Sequence, residues 1–297
     1  MPDHSGPPQA TDHRRISGLL GFLAKAEVDA IFKQQPFKTA SGEDPIDLWR
    51  RLDEGRAQLA ALPDGNLEPL APDLADLEQA IRQGKTYKEY YEAVADYAFG
   101  SVPIASLLTP QWHADLDYVD ELAATLSAEL PPKQQLRFAI SEGRIHQPIV
   151  SGTTVLFSSA RRDLHADPIP RVTQVAEGEF EIVVRATSRP NYVQVAIIDD
   201  RLLLVNGVHK VCALHKAGLT RCYCVARHAH QLAETGINLQ TTLFRDQVFK
   251  GARPAAVIDL LDPHTSGQLL IRSMYQILQV AIQSGTMTVP ALPRETR

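Results

Sequence analysis

The chain has 297 residues, 44% apolar and 22% charged, with a formal net charge of −5. That balance describes a globular protein with a substantial core, in one large domain or two ordinary ones. It argues against a protein that coats nucleic acid through massed Lys and Arg, so DNA is not expected as a partner. No apolar run approaches the ~18 residues of a membrane span, and no membrane partner is expected.

Residues 1–15 are polar and proline-containing, lack the basic-then-apolar order of a secretion signal, and are expected to be disordered. Over 16–35 the residues Leu19, Leu20, Leu23, Val28, Ile31 and Phe32 recur at helical spacing. Asp44 before Pro45 supplies an N-cap and a proline at the first helical position, opening a helix over 45–62. Pro63-Asp64-Gly65-Asn66 is a turn, and Pro69 and Pro72 keep the following linker extended. Asp73 caps a short helix before Gly84, and Thr86 with Glu89 makes a capping box for a helix through Tyr97. The stripe Tyr87, Tyr90, Tyr91, Val94 and Ala95 reads as packing. Asp115 or Asp117 opens another helix to about Leu130, where Pro131-Pro132 is a stop.

The texture then changes to segments rich in Val, Ile, Thr and Phe. Strands are predicted over 149–157, 180–186, 193–198, 201–205 and 221–226. Helix is predicted again beyond 243, short over 254–261 and longer over 267–283. The expected class is α+β: a tail at 1–15, a helical region over 16–132, a mixed-sheet domain with C-terminal helices over 133–286, and a loose tail over 287–297. Cys212, Cys222 and Cys224 are too few and too crowded for a disulfide framework. They read as buried thiols in a reducing compartment, and a cytoplasmic location is expected.

The most informative run is 197–218. It reads as a strand, an Asp199-Asp200 turn, a second apolar strand, and Asn206-Gly207 leading into a helix that stops at Gly218. The first amides of a helix have no intrahelical partner and carry partial positive charge. A glycine followed by Val208, His209 and Lys210 at such a start can capture a phosphate, with Asn206 shaping the turn. The same residues equally make an ordinary strand-to-helix connection.

The segment 193–227, with Gly207, His209, Ala213, Leu214 and Gly218 in register, resembles the ParB/sulfiredoxin-like superfamily. Its members include CTP-binding partitioning proteins, sulfiredoxins and ADP-dependent free-serine kinases, and they bind nucleotide phosphates at this turn. The resemblance implies a ParB/sulfiredoxin-like mixed sheet and a nucleoside di- or triphosphate with Mg²⁺ as ligand. Sulfiredoxins carry their reactive cysteine where this chain has Val208, so that chemistry is not implied. The family's Arg after the His is Lys210, which keeps the charge but loses the planar fork.

The resemblance also implies an upstream element closing the site. The run from Ser141 and Glu142 through Gln147-Pro148-Ile149-Val150 resembles the first box of partitioning proteins and offers Glu142 as a base. The loop Ser188-Arg189-Pro190 offers Arg189 for phosphate contact. Two patterns, His113/Asp115/Asp117 and Asp163/His165/Asp167, could carry Mg²⁺ or Mn²⁺, but the first is equally a helix start and the second equally a turn. Cys222 and Cys224 with His228 and His230 do not have zinc spacing, and alternate cysteines on an apolar strand more often pack inward.

Three functions follow as expectations. The leading one is a cytoplasmic nucleotide-binding protein in which His209 and Lys210 hold phosphates. Any phosphoryl transfer or nucleotide hydrolysis would use His209, with Glu142 or Glu181 as base. The alternative is a catalytically inactive scaffold that docks a protein partner through its helical N-terminal region. A DNA-binding regulator comes third. Whether the chain is an enzyme is left open.

Overall fold

The computed structural model describes residues 13–34, 37–92, 96–141, 148–159, 164–166, 170–188, 190–237, 249–272 and 276–281. Helices and sheets are mixed among them, as the α+β reading expects. The chain divides into two compact units, residues 1–142 with 190–273, and residues 143–189 with 274–297. Among the described residues no helix is long and apolar enough to cross a membrane.

The first unit holds a six-stranded sheet in the order Glu68–Pro69, Ala98–Pro103, Arg221–His228, Gln194–Ile198, Arg201–Asn206, Leu107–Leu108. Its centre is the antiparallel pair Gln194–Ile198 and Arg201–Asn206, with Arg221–His228 added parallel to the first. Val195, Ala196, Ile198, Leu202, Leu203 and Leu204 are all buried, so both faces of this centre are covered. Asp199 and Asp200 join the pair at φ 49° and 60°. Those are the left-handed values of the two-residue turn that matches strand twist.

A four-stranded sheet runs Lys38–Thr39, Gly267–Ile271, Arg14–Gly18, His113–Asp115. Ile16 faces Leu269 across one ladder and Asp115 across the other. One continuous core takes in Ile16, Leu48, Leu52, Leu74, Val119 and Leu136 together with Leu214, Leu260 and Leu269. The N-terminal helices therefore complete the same core as the strands around residue 200.

Several elements differ from expectation. Over 16–35 the chain forms the strand Arg14–Gly18, a 3₁₀ turn at Leu20–Phe22 and the helix Lys25–Gln34. Pairing on both edges buries Ser17 to 1% exposure, and its Oγ donates to the Leu260 carbonyl. Arg14 and Arg15, expected in the disordered tail, begin this strand. The segment predicted as a helix over 267–283 instead supplies the strands Gly267–Ile271 and Gln276–Ala281. Its Leu, Ile and Val residues satisfy either period, and pairing with Arg14–Gly18 decides for the strand by burying Leu269. Pro132 does not stop a helix; it opens Pro132–Ala139 from the first-turn position that proline tolerates.

Asp73 and Thr86 do not cap: Leu74 precedes Ala75–Gln83 and Gly84 precedes the helix opening at Lys85, neither with a side-chain cap, whereas other local signals agree with the structure. Asp44 accepts from the Ile46 amide at 2.8 Å and starts Pro45–Ala57. Asp115 accepts from the Tyr118 amide and starts Leu116–Ala123. Of the expected packing stripe Tyr87 and Tyr91 pack inward, with Tyr91 stacked on Tyr192 at 4.9 Å, in a helix that widens to a π-turn over Lys88–Glu92, while Tyr90 is exposed and Val94 and Ala95 lie outside the described residues.

The second unit contains the three-stranded sheet Gln276–Ala281, Thr154–Ser159, Ile149–Ser151. It also has the pair Leu164–Ala166 with Ala186–Ser188, and the hairpin Arg171–Ala176 with Glu179–Val183.

Candidate functional site

The strand Arg201–Asn206 ends at Gly207, and the helix Val208–Lys216 begins at once. Gly207 sits at φ 98°, ψ 20°, where an L side chain is strained. A Cβ there would lie 3.0 Å from Cα and Cγ2 of Val193, so the turn requires glycine on two counts. Glycine also offers no side-chain oxygen to the helix start, where Ser, Thr, Asp or Asn is the common choice. At the other end Gly218 is left-handed and Leu219 N–H donates to Leu214 O at 3.0 Å, closing the helix where expected.

The side chains around this turn are occupied within the fold. Asn206 Nδ2 donates to the Tyr192 carbonyl at 2.9 Å and so ties the turn to its neighbour strand. His209 Nε2 accepts from the Asp115 amide at 3.0 Å, and its ring meets Tyr118 edge-on at 5.4 Å. That bond requires the unprotonated nitrogen, so the imidazole here is neutral at Nε2. Lys210 is 3% exposed. Its ammonium donates to Ala139 O at 3.1 Å, to Ser141 Oγ at 2.8 Å and to the Asn191 carbonyl. An ammonium has three donors, and these bonds account for all three.

No family model, curated protein or solved structure matches the chain. The site must therefore be read from its own geometry. Val208 occupies the first helical position and is buried. Glu142 and Arg189, the expected base and phosphate contact, lie outside the described residues, as does Asp163. Glu181 lies on the exposed hairpin of the second unit.

Asp115 and Asp117, weighed as metal ligands, are engaged otherwise: Asp115 caps its helix and pairs with Arg14, and Asp117 pairs with Arg15. Among the described residues no three His, Cys, Asp or Glu gather as a metal would need. The three cysteines are unpaired and buried. Burial pushes the Cys212 and Cys222 thiols up to about 12 and Cys224 well above its usual value, so none is a nucleophile at neutral pH.

Sequence reasoning missed a cleft at the far end of the same helix. A cavity of about 500 Å³ is lined by Arg15, Asp120, His215, Lys216 and Gln268 among others, and one of about 370 Å³ adjoins it across His215 and Leu261. Asp120 sits between Lys216 and Arg15, and their hydrogen bonds hold it below the ordinary carboxylate range. Both cations are thus already paired. These residues come from positions 15, 120 and 215–216, and only the basic last turn of the helix hinted at them.

Proposed function

We propose that the chain is a nucleotide- or phosphate-binding protein of ParB/sulfiredoxin-like type. Its ligand would be held by the main-chain amides at the Gly207 turn, without catalysis by His209 or Lys210. The observation that carries this reading is the Gly207 cap, a left-handed glycine with no side chain over the first turn of a nine-residue helix. The hairpin, helix and parallel strand that surround it support the resemblance drawn from the sequence. Backbone N–H groups at a helix start suit a phosphate in general, which supports the reading. Lys210 does not suit one, because its donors are spent. Mg²⁺, if required, would arrive on the nucleotide's own phosphates. A cytoplasmic location suits the three unpaired cysteines.

The test is an amide-resonance titration of the ¹⁵N-labelled full chain with ATP, ADP, CTP, GTP (each with Mg²⁺) and inorganic phosphate. One ligand is expected to move the Val208, His209 and Lys210 resonances and to raise the melting temperature. Still resonances at all three, with every ligand and a folded protein, would sink the reading. That outcome would favour the inactive scaffold, which the structural use of Lys210 already supports. The N-terminal helices bury their apolar faces in the common core, so a docking role would fall to their polar faces.

A further inference from the structure

Eight large apolar side chains are exposed among the described residues, and five of them, Val172, Val175, Phe180, Ile182 and Val183, lie on one hairpin. Its strands Arg171–Ala176 and Glu179–Val183 pair with each other and, among the described residues, with no third strand. Every residue of both strands is exposed. The register sets Val172 against Ile182 and Gln174 against Phe180. Alternation then gathers Val172, Phe180 and Ile182 on one face, at 64%, 61% and 66% exposure. An isolated two-stranded hairpin is marginal in water, and an uncovered apolar face of this kind marks an interaction surface.

Charge says what its open edge accepts. Glu179 and Glu181 alternate with Phe180 and Ile182, so over 179–182 one face of this strand is acidic and the other apolar, with Val183 and, across the ladder, Arg171 on the glutamate face. A second copy pairing antiparallel about Glu181 would set Glu181 against Glu181, and like charges directly opposite destabilise a ladder. A complementary strand carries cations opposite the glutamates and apolar groups beside Phe180 and Ile182.

We propose that the outer edge of Glu179–Val183 accepts, by strand addition, an extended segment of another protein in which Lys or Arg alternates with apolar residues. The added strand gains main-chain hydrogen bonds from the open edge, ion pairs with Glu179 and Glu181, and lateral contact of its apolar side chains with Phe180 and Ile182. This surface is independent of the Gly207 turn and does not rest on the nucleotide reading.

Fluorescence anisotropy with labelled peptides against the full chain tests it. A peptide alternating Lys and Val should bind saturably. Its isomer with Lys and Val in two blocks should bind about tenfold more weakly or worse, and a peptide alternating Glu and Val should not bind. Phe180→Ser with Ile182→Ser should weaken the first peptide about tenfold, with the melting curve unchanged because both positions are exposed. Glu179→Lys with Glu181→Lys should transfer preference to the Glu–Val peptide, a gain that unfolding cannot mimic. Absence of saturable binding, equal binding of the block isomer, or indifference to both double variants overturns the proposal. So does a concentration-dependent dimer in sedimentation that Phe180→Ser with Ile182→Ser abolishes, because the occupant is then a second copy.

Discussion

Lys210 and Ala139, 71 residues apart in sequence, are joined by a 3.1 Å hydrogen bond from the lysine ammonium to the alanine carbonyl. With Ser141 and Asn191 as further acceptors, one buried cation ties the start of the helix Val208–Lys216 to two neighbouring strand segments. The residue that the resemblance puts on a phosphate is here an internal tie.

Lys210→Met is therefore expected to destabilise the fold by about 3 kcal/mol, since it strands buried acceptors that the ammonium now satisfies. Lys210→Arg should rescue little, because a planar fork does not fit three converging acceptors. Urea unfolding monitored by circular dichroism measures both, and a loss under 1 kcal/mol for the Met variant would contradict the geometry. Loss of ligand binding in a Lys210 variant must consequently be read against its stability.

Gly207→Ala should cost about 1–3 kcal/mol, from a left-handed φ and from Cβ pressing on Val193. The same urea titration checks it. A neutral substitution would mean that the turn relaxes, and the argument for an obligatory glycine would fail.

Local signals were legible in the sequence where one residue's chemistry settles them. Asp44 and Asp115 cap the helices they were expected to cap, Asp199-Asp200 turns the central hairpin, and Gly218 ends the helix. What was not legible was partnership. Arg14–Gly18 and Gly267–Ile271 are strands because they pair with each other across the length of the chain, and their Leu and Ile spacing alone suits either period. The candidate turn at Gly207 was found from its glycine and its flanking strand. The use of its side chains was not, because the Lys210 acceptors are two main-chain carbonyls and a serine far away in sequence.

Cys212, Cys222 and Cys224 should resist thiol reagents in the native protein and react together once it unfolds. Burial raises all three thiols, and none has the exposure that a reactive thiolate needs. Titration with a chromogenic disulfide with and without guanidinium reads this directly. Rapid native labelling of even one cysteine would contradict the packing of the helix against Arg221–His228.

His215 gives a pH dependence whose direction is fixed by its surroundings. Its ring lies where the two clefts meet, and partial burial lowers its pKa from the ordinary 6.5. Between that lowered value and 6.5 the unfolded chain binds more protons than the native one, so stability rises with pH across that window. Above 6.5 both states are neutral at this residue and its contribution is flat. As pH falls through the window, stability is progressively lost. His215→Gln should flatten that slope and leave stability at pH 8 nearly unchanged, as measured by melting curves at several pH values. Proton NMR of the His215 ring supplies the independent reading. A titration midpoint above 6.5 would show that the carboxylates of Asp120, Asp259 and Asp262 around the clefts outweigh burial, and the slope would then reverse.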